Sequence, residues 1–358
     1  STQGYSSAAS DVYKRQVIYY TIVAVATFCV CQRGVNIDKK YTPVGAYMLC
    51  VFLIMFIGFR PIHRVFIDTL GYYEAWALAD WVGFDFNAEN LIFDNIYIYL
   101  GASGLDISWF FLLIASIYFG TILAACQKLF PNNILLSFLV CLGAFSTYSY
   151  SMNGIKAGAA ASIFLLGITY RDKLFISLPL VLISWGFHHS MQLPVAAYCL
   201  ALIFKNKNWY FYGWLFCLLM AIGHVSFFQN IFAGITDESG ADYLTKDEYN
   251  TIKGFRLDFI IYSSMPVLMG YMVKYKYRLE EKIYDMILNT YLVCNAVWML
   301  CMYAAFTNRI AYLSWFMYPI VLIYPCFAIT ERSHPLVVNR NKIIVAHLTF
   351  TLFMAFIY

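Results

Sequence analysis

Long uninterrupted apolar runs, separated by short polar stretches, set the rhythm of the chain from Val17 onward. The runs are continuous rather than alternating, which is the pattern of helices apolar on every side and not of half-buried strands. Most approach the roughly 20 residues that cross a bilayer core. Lipid offers the backbone no hydrogen bonds, so only helices or closed barrels can span it. The pattern predicts spans over residues 17–31, 43–59, 106–126, 133–149, 154–170, 173–187, 190–204, 209–228, 258–273, 285–306, 309–329 and 342–357. The fold class expected is all-α: a polytopic integral membrane protein of about 12 transmembrane helices (10–12). Several runs lie near the short end of the spanning range. The fifth to seventh are joined by minimal turns, so one of them can be re-entrant.

Three polar stretches fall outside this scheme. Residues 1–16, STQGYSSAASDVYKRQ, stop abruptly at Val17 and have no apolar h-region, so they are not a signal peptide. They read as a disordered or non-native tail, leaving 17–358 as a single polytopic domain. The long loop 60–105 contains Glu89 to Leu100 (ENLIFDNIYIYL), whose apolar and aromatic positions favour one side. It is expected to lie along the membrane interface as a short amphipathic helix. The loop 229–257 carries Asp237, Glu238, Asp242, Asp247 and Glu248, without the spacing of a calcium loop, and reads as a solvated cap.

Composition agrees with the pattern. With 61% hydrophobic and 12% charged residues, the chain is not a soluble globular protein, since average domains carry roughly 25% charged residues. The bilayer is therefore a partner, and no nucleic-acid partner is expected. The ten cysteines all sit inside apolar runs with no CxxC pair, as small core residues do, and form no disulfide framework or thiolate metal site.

Charge assigns the loops to sides. Of the 24 Lys and Arg, the loops after the odd-numbered spans hold 15 and those after the even-numbered spans 7. The positive-inside bias puts the first set in the cytoplasm and the second, with the loop that opens at Arg60, outside.

The outer set is poor in cations, and those it has stand against the spans. Arg60, Arg64, Asp68, Tyr72 and Tyr73 come from GFRPIHRVFIDTLGYY, Asn153 and Lys156 from SMNGIKAGAAAS, and His188, His189 and Ser190 from one turn. Arg256 and Asp258 open the ninth span, and Asn308 and Arg309 the eleventh. A single span-flanking Arg or Lys ordinarily snorkels to headgroups. As a group, these cations suit a lipid-linked pyrophosphate, because guanidinium forks bind phosphate oxygens bidentately and can stabilise a departing pyrophosphate. Either Asp68 or His188 could take the proton of a sugar hydroxyl. No metal-ligand spacing surrounds the histidines, so no metal and no cofactor is expected. Gly154 and Gly158 form a small-xxx-small pair for close helix approach.

FRPIHRVFIDTLGYY, ISWFFLLIASIYFG, SMNGIKAGAAASIFLL, FHHSMQLP, GFRLDFIIYSSMP and NRIAYLSWFMYPIVLIYP, in this order, resemble the EpsG-like family of Wzy-type exopolysaccharide and O-antigen polymerases. The resemblance implies an inner-membrane glycosyltransferase joining polyprenyl-pyrophosphate-linked repeat units on the outer side of the membrane. Arg60, Asp68 and Tyr72 then correspond to the family's first-loop Arg, Asp and Tyr, His188 and Ser190 to its Phe-His-x-Ser turn, and Arg309 to its late Asn/Ser-Arg. A chain-length regulator or export complex is a further partner of such an enzyme. Two alternatives stay open on the residues alone: a flippase or transporter of lipid-linked oligosaccharide, and a membrane O-acyltransferase. The first needs charge at mid-membrane depth, and the second an acyl donor from the cytoplasmic side.

Overall fold

A computed structural model describes residues 2–32, 42–62, 67–225, 227, 232, 254–304 and 307–357. The acidic cap expected over 229–257 lies almost wholly outside the described residues, as do His63 and Arg64. Among the described residues there is no strand. The helices are α1 (Thr2–Gln32), α2 (Thr42–Gly58), α3 (Ile67–Trp76), α4 (Leu91–Ala102), α5 (Ile107–Leu129) and α6 (Ile134–Leu142). Next come α7 (Phe145–Met152), α8 (Ile155–Thr169), α9 (Leu174–Phe187), α10 (Gln192–Ile203) and α11 (Lys207–Ile222). The last are α12 (Leu257–Tyr271), α13 (Lys282–Leu300), α14 (Thr307–Trp315), α15 (Tyr318–Ala328), α16 (Pro335–Val338) and α17 (Arg340–Ile357).

Every apolar run is helical over most of its length. Among the described residues, four helical stretches could each cross a membrane by length and composition: Lys14–Gln32, Ile107–Leu129, Lys282–Leu300 and Thr307–Ala328. The bent pair α6 and α7 makes a fifth if it counts as one span. Large apolar side chains stay exposed along α2 (Val44, Met48, Val51, Met55) and α11 (Leu215, Phe216, Leu219, Ile222). Such patches are rare on soluble monomers, and here they fit a membrane protein whose outer helices meet lipid. Thr307–Ala328 lies at the centre, with Trp315, Met317 and Ile320 fully buried beside Tyr262 and Trp298.

Three elements depart from the expected layout. The predicted span 133–149 is broken at Gly143–Ala144, where α7 turns 73° away from α6. The break is stable because its freed backbone groups find partners. The Thr147 hydroxyl donates to Cys141 O (2.7 Å) and the Phe145 amide donates to the Tyr262 hydroxyl (3.1 Å), as irregular backbone inside an apolar bundle requires. Second, α1 begins at Thr2 and passes through the segment read as a tail. Its Arg15 donates to Phe56 O (2.8 Å) and Gln16 to Ala355 O (3.1 Å), so the last residues of that segment are fastened to α2 and α17. Third, residues 67–76 form α3, which periodicity did not predict.

The helix ends collect into two sets. At one end Arg60 bonds Met152 O, His189 bonds Asn90, and Tyr303 bonds Ala221 O. At the other, Lys128 lies over the Tyr170 ring, Arg171 bonds Lys282 O, Lys207 bonds Lys274 O and Asn341 bonds Cys31 O. Each of these contacts joins residues at or near span ends that charge counting places on the same side.

Candidate functional site

Arg60 is the most confined cation of the first end. The end of α2 sits hard against α5: a Cβ on Gly58 would lie 2.9 Å from Leu112 Cα, so only glycine permits the approach. Two residues on, the chain folds Arg60 back into the bundle, 4% exposed. Its Nε donates to Ile57 O (3.1 Å) and Nη1 to Met152 O (2.6 Å), and the guanidinium lies 4.8 Å from the centre of the Phe111 ring. Burial lowers its pKa to about 9, with Tyr148 and Tyr72 opposing and Arg15 adding a small push the same way. It is still a cation at neutral pH. Its Nη2 is buried without a hydrogen-bond partner among the described residues. A buried donor left so costs about 1–3 kcal/mol, and an incoming anion would satisfy it.

Asp68 and Tyr72 stand one helical turn apart on α3 and so share a face. Asp68 is half-buried. Burial raises its carboxyl above the ordinary aspartate value, against the opposing pull of Arg309 and then Lys156. Three groups from distant parts of the chain are therefore close enough to act on one another. The Tyr72 ring packs among Phe93, Tyr97 and Phe110, 6.0, 5.8 and 6.4 Å between centroids, and its carbonyl accepts from the Tyr97 hydroxyl. Burial, then the Asp68 charge, lifts its phenol well above the usual value, so it stays a hydroxyl donor.

Lys156 occupies the first turn of α8, with Nζ 5.8 Å from the centre of the Phe93 ring. The glycine pair does permit close approach, but to the preceding helix: a Cβ on Gly158 would lie 2.6 Å from Tyr150 O. This contact seats the opening of α8, and Lys156 with it, on α7. Asn153 caps the end of α7 through its backbone and is exposed.

The turn between α9 and α10 is specified by its own side chains. His188 Nδ1 accepts from the Ser190 amide (3.1 Å) and lies 2.7 Å from the Ser190 hydroxyl. An Nδ1 that accepts a backbone N–H carries no proton, so neutral His188 holds its proton on Nε2. The next residue, His189, donates its amide to Asn90 Oδ1 at 3.0 Å, which ties the turn to the start of α4. Phe93 of α4, nearly inaccessible, touches Phe187 as well as Tyr72, at 6.3 Å between centroids.

Arg309 opens α14 exposed, within electrostatic reach of Asp68 and of the Tyr312 hydroxyl. Tyr312 packs edge-on against Tyr150 at 5.2 Å. The hydroxyls of Tyr148 and Tyr150 are buried without a hydrogen-bond partner among the described residues. Arg256 differs from the other arginines. Its fork is closed on Asp258 by two bonds of 3.0 and 2.7 Å, over the Phe259 ring at 3.7 Å.

Of the residues singled out in the sequence, Arg60, Asp68, Tyr72, Lys156 and Arg309 gather around one point. The turn that carries His188 and Ser190 adjoins this group through Phe187, whose ring touches Phe93. Arg256 is committed to a carboxylate, and Arg64 lies outside the described residues. Sequence reasoning missed Asn90, Phe93, Tyr148, Tyr150 and Tyr312. An aromatic in an apolar run carries no mark of which way it faces.

No curated protein and no solved structure matches this chain. Residues 45–358 do match the EpsG family. That stretch takes in all of α3 to α17, including every residue of the cluster, and the chain therefore belongs to the EpsG family.

Proposed function

We propose that the chain is a polysaccharide polymerase: a membrane glycosyltransferase that joins polyprenyl-pyrophosphate-linked repeat units for exopolysaccharide, capsule or O-antigen. Family membership supports a polymerase-like membrane protein. The finer reading is supported by Asp68 lying within electrostatic reach of both Arg309 and Lys156, together with a buried Arg60 whose Nη2 has no hydrogen-bond partner among the described residues. In the proposed arrangement about twelve helical spans cross the inner membrane, α3 and α4 cover the outer loop, and the cluster faces outward. Charge bias supports that orientation.

In the reaction, the acceptor sugar hydroxyl attacks the anomeric carbon of the donor. The bond from that carbon to the pyrophosphate oxygen breaks, and the acceptor proton passes to a base. Arg60, Arg309 and Lys156 bind the pyrophosphate and stabilise the charge it gains on leaving. Arg60, with two donors fixed by carbonyls, is preorganised and loses little freedom when it binds. Asp68 is the better base. Its raised pKa brings it nearer to an effective proton acceptor, whereas neutral His188 presents an Nε2–H and suits donation to a sugar or phosphate oxygen. Tyr72 and the unpartnered hydroxyls of Tyr148 and Tyr150 add neutral donors. Ser190 orients His188, Asn153 offers an exposed amide at the end of α7 to the substrate, and Arg256 contributes only by parting from Asp258.

The test is to incubate purified protein in detergent with a lipid-pyrophosphate repeat unit, with and without EDTA. A ladder of products supports the polymerase. A single addition would make the chain a one-sugar transferase, and inhibition by EDTA would show that protein cations alone do not stabilise the leaving group.

A further inference from the structure

At the opposite end of the bundle, an open cavity of about 520 Å³ lies between residues 205–208 and the segment from Lys274 to Asn289. Its lining includes Lys205, Lys207, Lys274, Lys282, Glu280 and Asp285. Four ammonium groups thus share one hollow with two carboxylates. One carboxylate is already engaged: Lys274, 4% exposed, pairs with Asp285 at 2.5 Å and donates to Leu279 O at 2.6 Å. The remaining lysines hold backbone carbonyls or reach solvent. Lys205 and Lys207 donate to the carbonyls of Ala201 (3.0 Å) and Lys274 (3.3 Å), and Lys282 is exposed. Burial and then the Arg171 guanidinium pull the Lys205 ammonium below its ordinary value. Arg171 is held in place by its bond to Lys282 O at 2.6 Å.

Helices α11 and α13 begin at Lys207 and Lys282, both residues of the cavity lining, with the Asn208 amide of α11 already capped by Asn206 Oδ1. Helix N-termini and ammonium groups together favour an oxyanion. Basic residues scattered along a cytoplasmic surface need no cavity, whereas here the charges line one, anchored by a buried lysine.

We propose that this cavity is a phosphate-binding site, taking either the headgroup of an anionic phospholipid or a soluble phosphate. It is separate in the fold from the Asp68 cluster. Lys207 and Lys282 contact the anion, and Lys274, locked on Asp285, supports the wall behind them. Glu280 limits the affinity.

The full chain in detergent would be titrated with phosphatidylglycerol or phosphatidylcholine and followed by native mass spectrometry. Inorganic phosphate would be titrated in parallel by phosphorus NMR line broadening. The expected result is saturable binding of phosphatidylglycerol, of phosphate, or of both, with phosphatidylcholine weaker; the responding probe identifies the source. Lys207→Gln with Lys282→Gln weakens that binding roughly tenfold, and Glu280→Gln tightens it roughly threefold, a gain that misfolding cannot mimic. Lys128→Gln with Lys342→Gln, cations that do not line the cavity, leaves it unchanged. The proposal is overturned if neither probe saturates. It is equally overturned if the control pair loses as much affinity as the cavity pair, or if Glu280→Gln has no effect.

Discussion

The two ends of the bundle handle positive charge in opposite ways. At the Asp68 end cations are few, and the principal one, Arg60, is buried and bonded to two backbone carbonyls. At the lysine end they are many, and most reach solvent or a broad cavity. The number of cations therefore does not measure specialisation. Arg60 is fixed in one geometry by a glycine contact, a ring and two carbonyls, and such constraint is what a departing pyrophosphate can use. Lys205 and Lys207 each hold one backbone carbonyl and Lys282 is exposed, an arrangement that suits binding an anion without acting on it.

Substitutions should separate the ends in a graded way. The largest effect expected is at the base. Asp68→Asn should slow product formation by about 10²–10⁴-fold, the usual worth of general-base catalysis. His188→Ala should cost less, because His188 offers a proton rather than takes one. Comparable losses, read from initial rates on the lipid-linked repeat unit, would show that Asp68 and His188 share the role. Next is Gly158→Ala. Its new methyl must displace the Tyr150 carbonyl, costing about 1–3 kcal/mol as overpacking does, and thermal unfolding in detergent should show the lowered Tm.

A smaller effect concerns pH. Burial raises the Asp68 pKa while Arg309 and then Lys156 hold it down. Removing either cation leaves the raising influence less opposed, so the acid limb of the rate profile should move to higher pH. The shift should be larger in Arg309→Gln than in Lys156→Gln. The smallest effect expected is at Arg256, whose fork is already closed by Asp258. Arg256→Gln should change the rate only a few-fold, and a loss as large as that of Asp68→Asn would place Arg256 on the substrate.

Much of the fold could be read in the chain because apolar runs of spanning length have few alternatives in lipid. The break at Gly143–Ala144 could not, since ILLSFLVCLGAF reads as one run and the Thr147 and Tyr262 partners that stabilise the turn are distant or unremarkable in sequence. Arg60, Asp68, Lys156 and Arg309 stood out as charges beside apolar runs. Tyr148, Tyr150 and Tyr312 did not, because a phenol buried toward a site and one facing lipid look alike in such a run. Phe93 was hidden differently: it sits in a stretch read as an interfacial helix, yet it packs between α3, α8 and α9.

The central claim is that Arg60 acts through the geometry of its fork and not merely through its charge. Arg60→Lys keeps the charge and removes the planar fork. Incubated as monodisperse protein with the lipid-pyrophosphate repeat unit, this variant should lose the product ladder by about 10²-fold or more. An Arg60→Lys enzyme that builds the ladder at the wild-type rate would contradict the account.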